Sequence, residues 1–107
     1  LVGDMDTPVL KSGEVVLRSG GANHRRGAEA VGGKLLLTNR RLIFVSHALN
    51  IQRGPAYFEL SAVVGTSRSG ILRNWLTVQF SDGSASFAVF RPSLWIRAIE
   101  AASQRPE

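Results

Sequence analysis

Hydrophobic and polar residues alternate along most of the chain with the short period that is typical of β-strands. Seven segments rich in β-branched and aromatic residues follow one another, separated by glycine, asparagine, aspartate or serine. Val78 and Phe80 fall on one face of the sixth segment, whereas residues 34–38 and 41–45 are apolar on both faces, which indicates covered strands or strong curvature. The predicted strands are 14–26, 30–38, 41–47, 56–60, 62–69, 74–80 and 85–90.

Three connections between these strands have recognisable turn chemistry. Residues 23–30, which contain glycine and alanine, are expected to form a flexible loop between the first two strands. Asn39 tolerates left-handed backbone geometry, so the Asn39-Arg40 pair is expected to close the second hairpin. Asp82-Gly83 is a strong signal for a type I′ turn, which needs positive φ at both central residues.

The hydrophobic period lengthens near the end of the chain. After Pro92, the apolar residues Trp95, Ile99 and Ala102 recur at helical spacing and predict one amphipathic helix. A helix with such a stripe needs an apolar surface to cover. The sequence therefore predicts a mainly β fold, a seven-stranded antiparallel barrel or orthogonal sandwich capped by one C-terminal α-helix.

The composition of the 107-residue chain fits one domain. We assign residues 1–12 to a lead-in segment, 13–104 to the domain and 105–107 to a tail. No apolar run approaches the roughly 18–20 residues of a membrane-spanning helix. The absence of cysteine excludes disulfides, thiol catalysis and cysteine-ligated zinc.

The net charge is +5, and eleven arginines stand against two lysines. Arginine presents a planar fork that matches phosphate and carboxylate groups, so this excess is compatible with an acidic partner. It is equally compatible with the codon usage of a GC-rich genome. Basicity alone does not choose between lipid, nucleic acid and no ligand.

One stretch resembles a known family. The sequence GKLLLTNRRLIF, residues 33–44, together with SGEVVLRSGGANHRR before it and the terminal helix, is similar to the GRAM domain family over about residues 10–102. Leu36 departs from the family, in which an aromatic residue is common at this position. The resemblance implies a pleckstrin-homology-like barrel without catalytic apparatus, which occurs in membrane-associated proteins and binds phosphoinositides or proteins.

The candidate binding residues follow from the alternation of hairpins between the two ends of a meander. Loop 23–30 shares one end with loop 48–55, which brings Arg25 and Arg26 toward Arg53, with Lys34 nearby. These four residues are expected to dock on anionic phospholipid headgroups, phosphoinositides included, at the cytoplasmic face of a membrane. The alternative is a protein-interaction module of a larger protein that binds no lipid.

Other chemistries are disfavoured. His24, His47 and Glu29 fall near one end of the predicted barrel, but their spacing does not demand a metal, so His24 and His47 are expected to be surface histidines. No cofactor is expected. The eight acidic residues are dispersed and form no catalytic pair. Trp75 and Trp95 are better explained by packing than by base stacking, so nucleic-acid binding is not expected.

Overall fold

One antiparallel β-sheet and one C-terminal α-helix, with a short 3-10 helix at Leu60–Ala62, make up the domain in a computed structural model, which describes residues 8–47, 55–70 and 74–104. The strand order across the sheet is β4-β3-β2-β1-β7-β6-β5. This confirms the predicted mainly β fold with seven strands and a C-terminal helix. The elements are β1 (Val16–Arg26), β2 (Glu29–Thr38), β3 (Arg41–Ser46), β4 (Ala56–Glu59), β5 (Val63–Ser69), β6 (Trp75–Phe80), β7 (Gly83–Val89) and α1 (Pro92–Ser103).

The sheet curls until its two halves share one core. The ring of Phe58 on β4 stacks on that of Phe80 on β6 with centroids 5.3 Å apart, although these strands are far apart in the strand order. Helix α1 covers this core with Trp95, Ile99 and Ala102, the apolar stripe that the sequence predicted. The hydrophobic effect of burying this stripe holds the helix in place.

A glycine marks a close approach between two strands. A Cβ at Gly33 of β2 would lie 2.2 Å from the carbonyl oxygen of Val45 on β3 and 2.7 Å from the ring of Phe44. No real Cβ contact is that short, so this position requires glycine.

A buried ion pair fixes the start of the domain to β3. Arg41 Nη2 donates to Glu14 Oε1 at 2.8 Å, and Arg41 Nε donates to Glu14 Oε2 at 2.9 Å. The hydroxyl of Thr38 donates to the same carboxylate at 2.6 Å. These bonds, led by that from Arg41, lower the pKa of Glu14 to about 2 against the opposing effect of burial. The guanidinium carbon also lies 4.4 Å from the Tyr57 ring centroid.

The two tight turns lie close to the predicted positions but use different backbone geometry. Among the described non-glycine residues, Arg91 alone has positive φ, so the left-handed conformation expected for Asn39 and Asp82 is wrong. The Asn39 side chain instead accepts a bond from Val15 N at 2.8 Å. In the other turn Ser81 and Asp82 are the central residues, because Gly83 already pairs with Phe80 in the sheet.

The lead-in segment contacts the domain. Arg41 Nη2 donates to the carbonyl oxygen of Val9 at 3.0 Å, and the Lys11 amine lies 3.9 Å from a Glu59 carboxylate oxygen. Arg41 therefore helps to hold this segment against the sheet. The boundary at residue 13 stays a prediction.

Candidate binding surface

The first hairpin is tighter than the sequence suggested. The predicted strand 14–26 agrees with the end of β1 at Arg26. The overlapping expectation of a flexible loop over 23–30 is wrong, because β2 starts at Glu29 and Gly27-Ala28 form the turn. Gly27 adopts φ +62, a conformation that glycine reaches without strain. Arg25 and Arg26 are therefore successive residues of a strand, and their side chains leave it on opposite faces.

Arg26 points toward the inside of the barrel. Its Nε donates to His24 Nδ1 at 3.4 Å, and its guanidinium carbon lies 5.9 Å from the centroid of the Phe44 ring. The side chain is half-buried. Arg26 thus lies at the rim of the core and does not converge with Arg25 on one ligand atom.

His24 is a core residue, not the surface histidine that the sequence suggested. Its ring stacks on Phe87 with centroids 4.7 Å apart and meets the edges of Phe44 and Phe58. Burial, and secondarily the charge of Arg26, lower the pKa of His24. No group of three potential metal ligands occurs among residues 8–47, 55–70 and 74–104.

The lowered pKa of His24 predicts a loss of stability in mild acid. The unfolded chain takes up a proton near the ordinary histidine pKa of 6.5, whereas the folded chain resists it, so stability falls as the pH drops below 6.5. We expect the urea midpoint to be lower at pH 5.5 than at pH 7.5. A His24→Gln variant should lose most of this difference, and an unchanged difference would contradict the assignment to His24.

Arg25 and Lys34 lie on the outer face of the sheet. Arg25 and Lys34 are exposed, whereas Ala22, His24 and Leu35 of the same strands are buried, as strand alternation requires. Gly21 pairs with Lys34, so the two cationic positions are four residues apart along the β1–β2 ladder, roughly 13 Å.

Aromatic residues complete this face. The guanidinium carbon of Arg25 lies 4.7 Å from the centroid of the Trp75 ring, which reaches it across β7. Phe90 follows directly after Val89, the β7 residue that pairs with Ala22, and is 78% exposed. The guanidinium carbon of Arg91 lies 5.2 Å from the Phe90 ring centroid. We call Arg25, Lys34, Trp75, Phe90 and Arg91 the outer basic face.

The charged side chains of the outer basic face are all positive. Between its cations and aromatic rings lie small or uncharged residues, and no outward-facing position of the described β1, β2, β6 or β7 is acidic. The exposed carboxylate of Glu29 lies opposite Arg26 at the hairpin tip, which strand alternation assigns to the other face of the sheet. Arg25, Lys34 and Arg91 therefore create a positive potential over a shallow surface. Such a surface attracts phosphates or carboxylates, and an exposed phenylalanine adds apolar area at the centre of any contact.

Sequence reasoning found part of this face. It selected Arg25 and Lys34 but overlooked Phe90 and Arg91, and it considered Trp75 only as a packing residue. The period-two alternation through residues 21–25 and 86–90 was the available signal, because it separates outward from inward positions. Arg53 lies outside the described residues. In the described part of the chain, no helix has the length and apolar character needed to cross a bilayer.

Comparison with known proteins identifies the fold. The N-terminal PH domain of Vps36 superposes with a TM-score of 0.74 at 21% identity, over 94% of this chain and 86% of that one. The C-terminal PH domain of human pleckstrin gives 0.71 at 19% identity, over 94% and 90%. The C-terminal domain of an unknown protein from Leishmania infantum gives 0.75 at 17% identity, over 88% of both chains. No protein-family model and no curated protein matches the sequence. The chain has a pleckstrin-homology-like fold.

Proposed function

We propose that this chain is a non-enzymatic binding module that docks on anionic membrane surfaces through its outer basic face. The observation that carries the proposal is the clustering of exposed Arg25 and Lys34 on a face without acidic residues, beside the exposed ring of Phe90. The PH-like fold supports a binding role, since it presents a rigid sheet on which side chains are held in fixed positions. We further propose that the chain is a GRAM-like member of this fold.

The physical basis of docking is electrostatic attraction with an apolar contribution. A basic residue near an anionic leaflet contributes about 1 kcal/mol, so three cations give weak, reversible and salt-sensitive attachment. Stacking on Trp75 restrains the Arg25 side chain, which lowers the entropy lost when its guanidinium meets a phosphate. Phe90 would enter the headgroup region, where aromatic side chains are favourably placed.

The other two predicted site residues have secondary places in this proposal. Arg26 is half-buried at the tip of the same hairpin and would contact headgroups from the rim of the barrel. Arg53, outside the described residues, would add charge from the connection between β3 and β4. The cytoplasmic face of the membrane is the proposed location, because it carries the anionic lipids.

Liposome sedimentation tests the proposal. Vesicles that contain phosphatidylserine should pull down the protein at low salt, less of it at physiological salt, and vesicles of phosphatidylcholine alone should not. Arg25→Glu/Lys34→Glu should reduce the bound fraction at least about tenfold, since two positive charges become negative and the net charge near the leaflet changes by about four units. A matched control, Arg97→Glu/Arg68→Glu, makes the same charge change elsewhere on the domain. Equal loss in both double variants, or no binding at low salt, would contradict the proposal.

A protein-interaction module is the second candidate function. Strands β4 and β5 end the described sheet on either side, and Val64 on β5 is 69% exposed. A partner strand could pair with the free edge of β5 beside α1. Main-chain pairing is screened little by salt, so a partner retained in a pulldown at high salt would favour this function over docking on lipid.

A further inference from the structure

The lead-in segment lies against the outer face of the sheet, the side that also carries the outer basic face. Leu42 of β3 belongs to the core, and strand alternation therefore places its neighbours Arg41 and Ile43 on the outside. The Val9 carbonyl oxygen accepts a hydrogen bond of 3.0 Å from Arg41 Nη2. This guanidinium extends along the strand pair to the ring of Tyr57, the residue that pairs with Ile43. The chain thus meets the outer face beside β3 and β4.

Lys34 of the outer basic face is close to this point. It lies on β2 and pairs with Val45, which is one outward position beyond Ile43 on β3. From Tyr57 on β4, Lys34 is two strand spacings across and two residues along, a separation of about 12 Å. Arg25 lies roughly 13 Å further along the β1–β2 ladder.

Residues 1–7, which lie outside the described residues, carry the charge that complements this face. They contain Asp4 and Asp6, and no basic residue occurs in the first ten positions of the chain. Asp4 precedes Val9 by five residues, and five extended residues span at most about 17 Å. The chain is therefore long enough to bring these carboxylates to Lys34.

We propose that residues 1–7 fold back over the outer face and pair Asp4 and Asp6 with Lys34, so that the chain inhibits its own docking on membranes. This regulation rests on the proposed membrane docking. The paired Lys34 no longer meets lipid headgroups, and the two carboxylates are repelled by an anionic leaflet. Arg25 stays exposed beyond the reach of the segment and still attracts the membrane. A leaflet of high charge density displaces the segment, so docking becomes selective for strongly anionic surfaces.

A single spin label tests the contact without any lipid. The chain contains no cysteine, so Met5→Cys provides one site for a nitroxide between the two aspartates. We expect the label to broaden the amide signals of Lys34 and Val45. In the same labelled chain, Asp4→Asn/Asp6→Asn should reduce this broadening at least about twofold, because the attraction to Lys34 is lost. Absence of the broadening, or equal broadening with and without the aspartates, would overturn the proposal.

Vesicles that contain phosphatidylserine test the inhibition. At low salt, Asp4→Asn/Asp6→Asn in the full chain should lower the lipid concentration at half binding about five- to tenfold, since two repelled charges are removed and Lys34 is released. The control Asp82→Asn/Glu100→Gln removes the same charge from exposed positions outside the outer basic face. It should change this concentration by less than about twofold. Equal gains in the two double variants would contradict the inhibition.

The two measurements distinguish failure of this proposal from failure of membrane docking. If the label reports the contact but neither the unaltered chain nor the variants bind vesicles, membrane docking is wrong, and its regulation is wrong with it. If the unaltered chain and Asp4→Asn/Asp6→Asn bind vesicles equally well, docking is confirmed and the inhibition is wrong.

Discussion

Replacement of Arg41 by methionine is expected to lower the free energy of unfolding by about 3–5 kcal/mol at neutral pH. The change leaves the carboxylate of Glu14 buried without its cation, and it removes two hydrogen bonds of 2.8 and 2.9 Å. The contact of Arg41 with the Val9 carbonyl is lost as well. Equilibrium urea unfolding followed by far-ultraviolet circular dichroism measures the effect.

A double variant separates the loss of the ion pair from the loss of packing. In Glu14→Leu/Arg41→Met no buried charge is left unpaired, so much of the lost stability should return. Two alternative results would contradict this view: a loss below about 1 kcal/mol in Arg41→Met, or a double variant less stable than the single one.

The same pair predicts how the protein responds to strong acid. A carboxyl whose pKa falls from 4.5 to about 2 on folding contributes roughly 3 kcal/mol of stability, fully present above pH 4.5. That contribution is lost as the pH falls from 4.5 toward 2, because the unfolded state binds the proton first. Loss of the Glu14 contribution begins near pH 4.5, whereas the loss due to His24 begins near pH 6.5, so the two groups can be distinguished by the pH at which stability starts to decline.

Substitution of Gly33 by alanine is expected to cost about 2–3 kcal/mol, in the upper part of the usual range for an overfilled site. The new methyl group would lie 2.2 Å from the Val45 carbonyl oxygen, so the backbone of β2 or β3 must move. Gly21 provides a matched control in the neighbouring strand, since a Cβ there meets nothing within 4 Å. Thermal unfolding should show a lower midpoint for Gly33→Ala and an unchanged or slightly higher one for Gly21→Ala. Equal midpoints would contradict the close approach of β2 and β3.

Strand positions were predictable because they depend on a local pattern. Alternation and turn residues placed all seven strands close to their observed bounds, and helical spacing selected Trp95, Ile99 and Ala102 as the buried stripe. The positions of the turns were predicted, but the backbone geometry expected for them was wrong. Asn39 stabilises its turn through side-chain hydrogen bonds to residues 13 and 15, which are distant in sequence. Such bonds depend on tertiary packing, which residue propensity does not record.

The candidate site was harder to predict than the fold. Arg25 and Arg26 are adjacent in sequence, and treating them as loop residues made them one cluster, whereas a strand separates them to opposite faces. The pair between Glu14 and Arg41 joins residues 27 positions apart, so no short motif contains it. The position of Phe90 on the outer basic face follows from the pairing of Ala22 with Val89, which places Phe90 beside β1.

Relaxation enhancement by a paramagnetic lipid tests most directly whether the outer basic face is the membrane-docking surface. The nitrogen-15 spectrum is recorded with nanodiscs that contain phosphatidylserine and a small share of lipid with a gadolinium chelate on its headgroup. Docking as proposed predicts the strongest broadening at the amides of Asn23, Arg25, Lys34 and Phe90, and little at Asn39 or Asp82. Broadening centred on the Asn39 turn or on the β6–β7 turn at Asp82, or no difference from nanodiscs without phosphatidylserine, would contradict the proposed function.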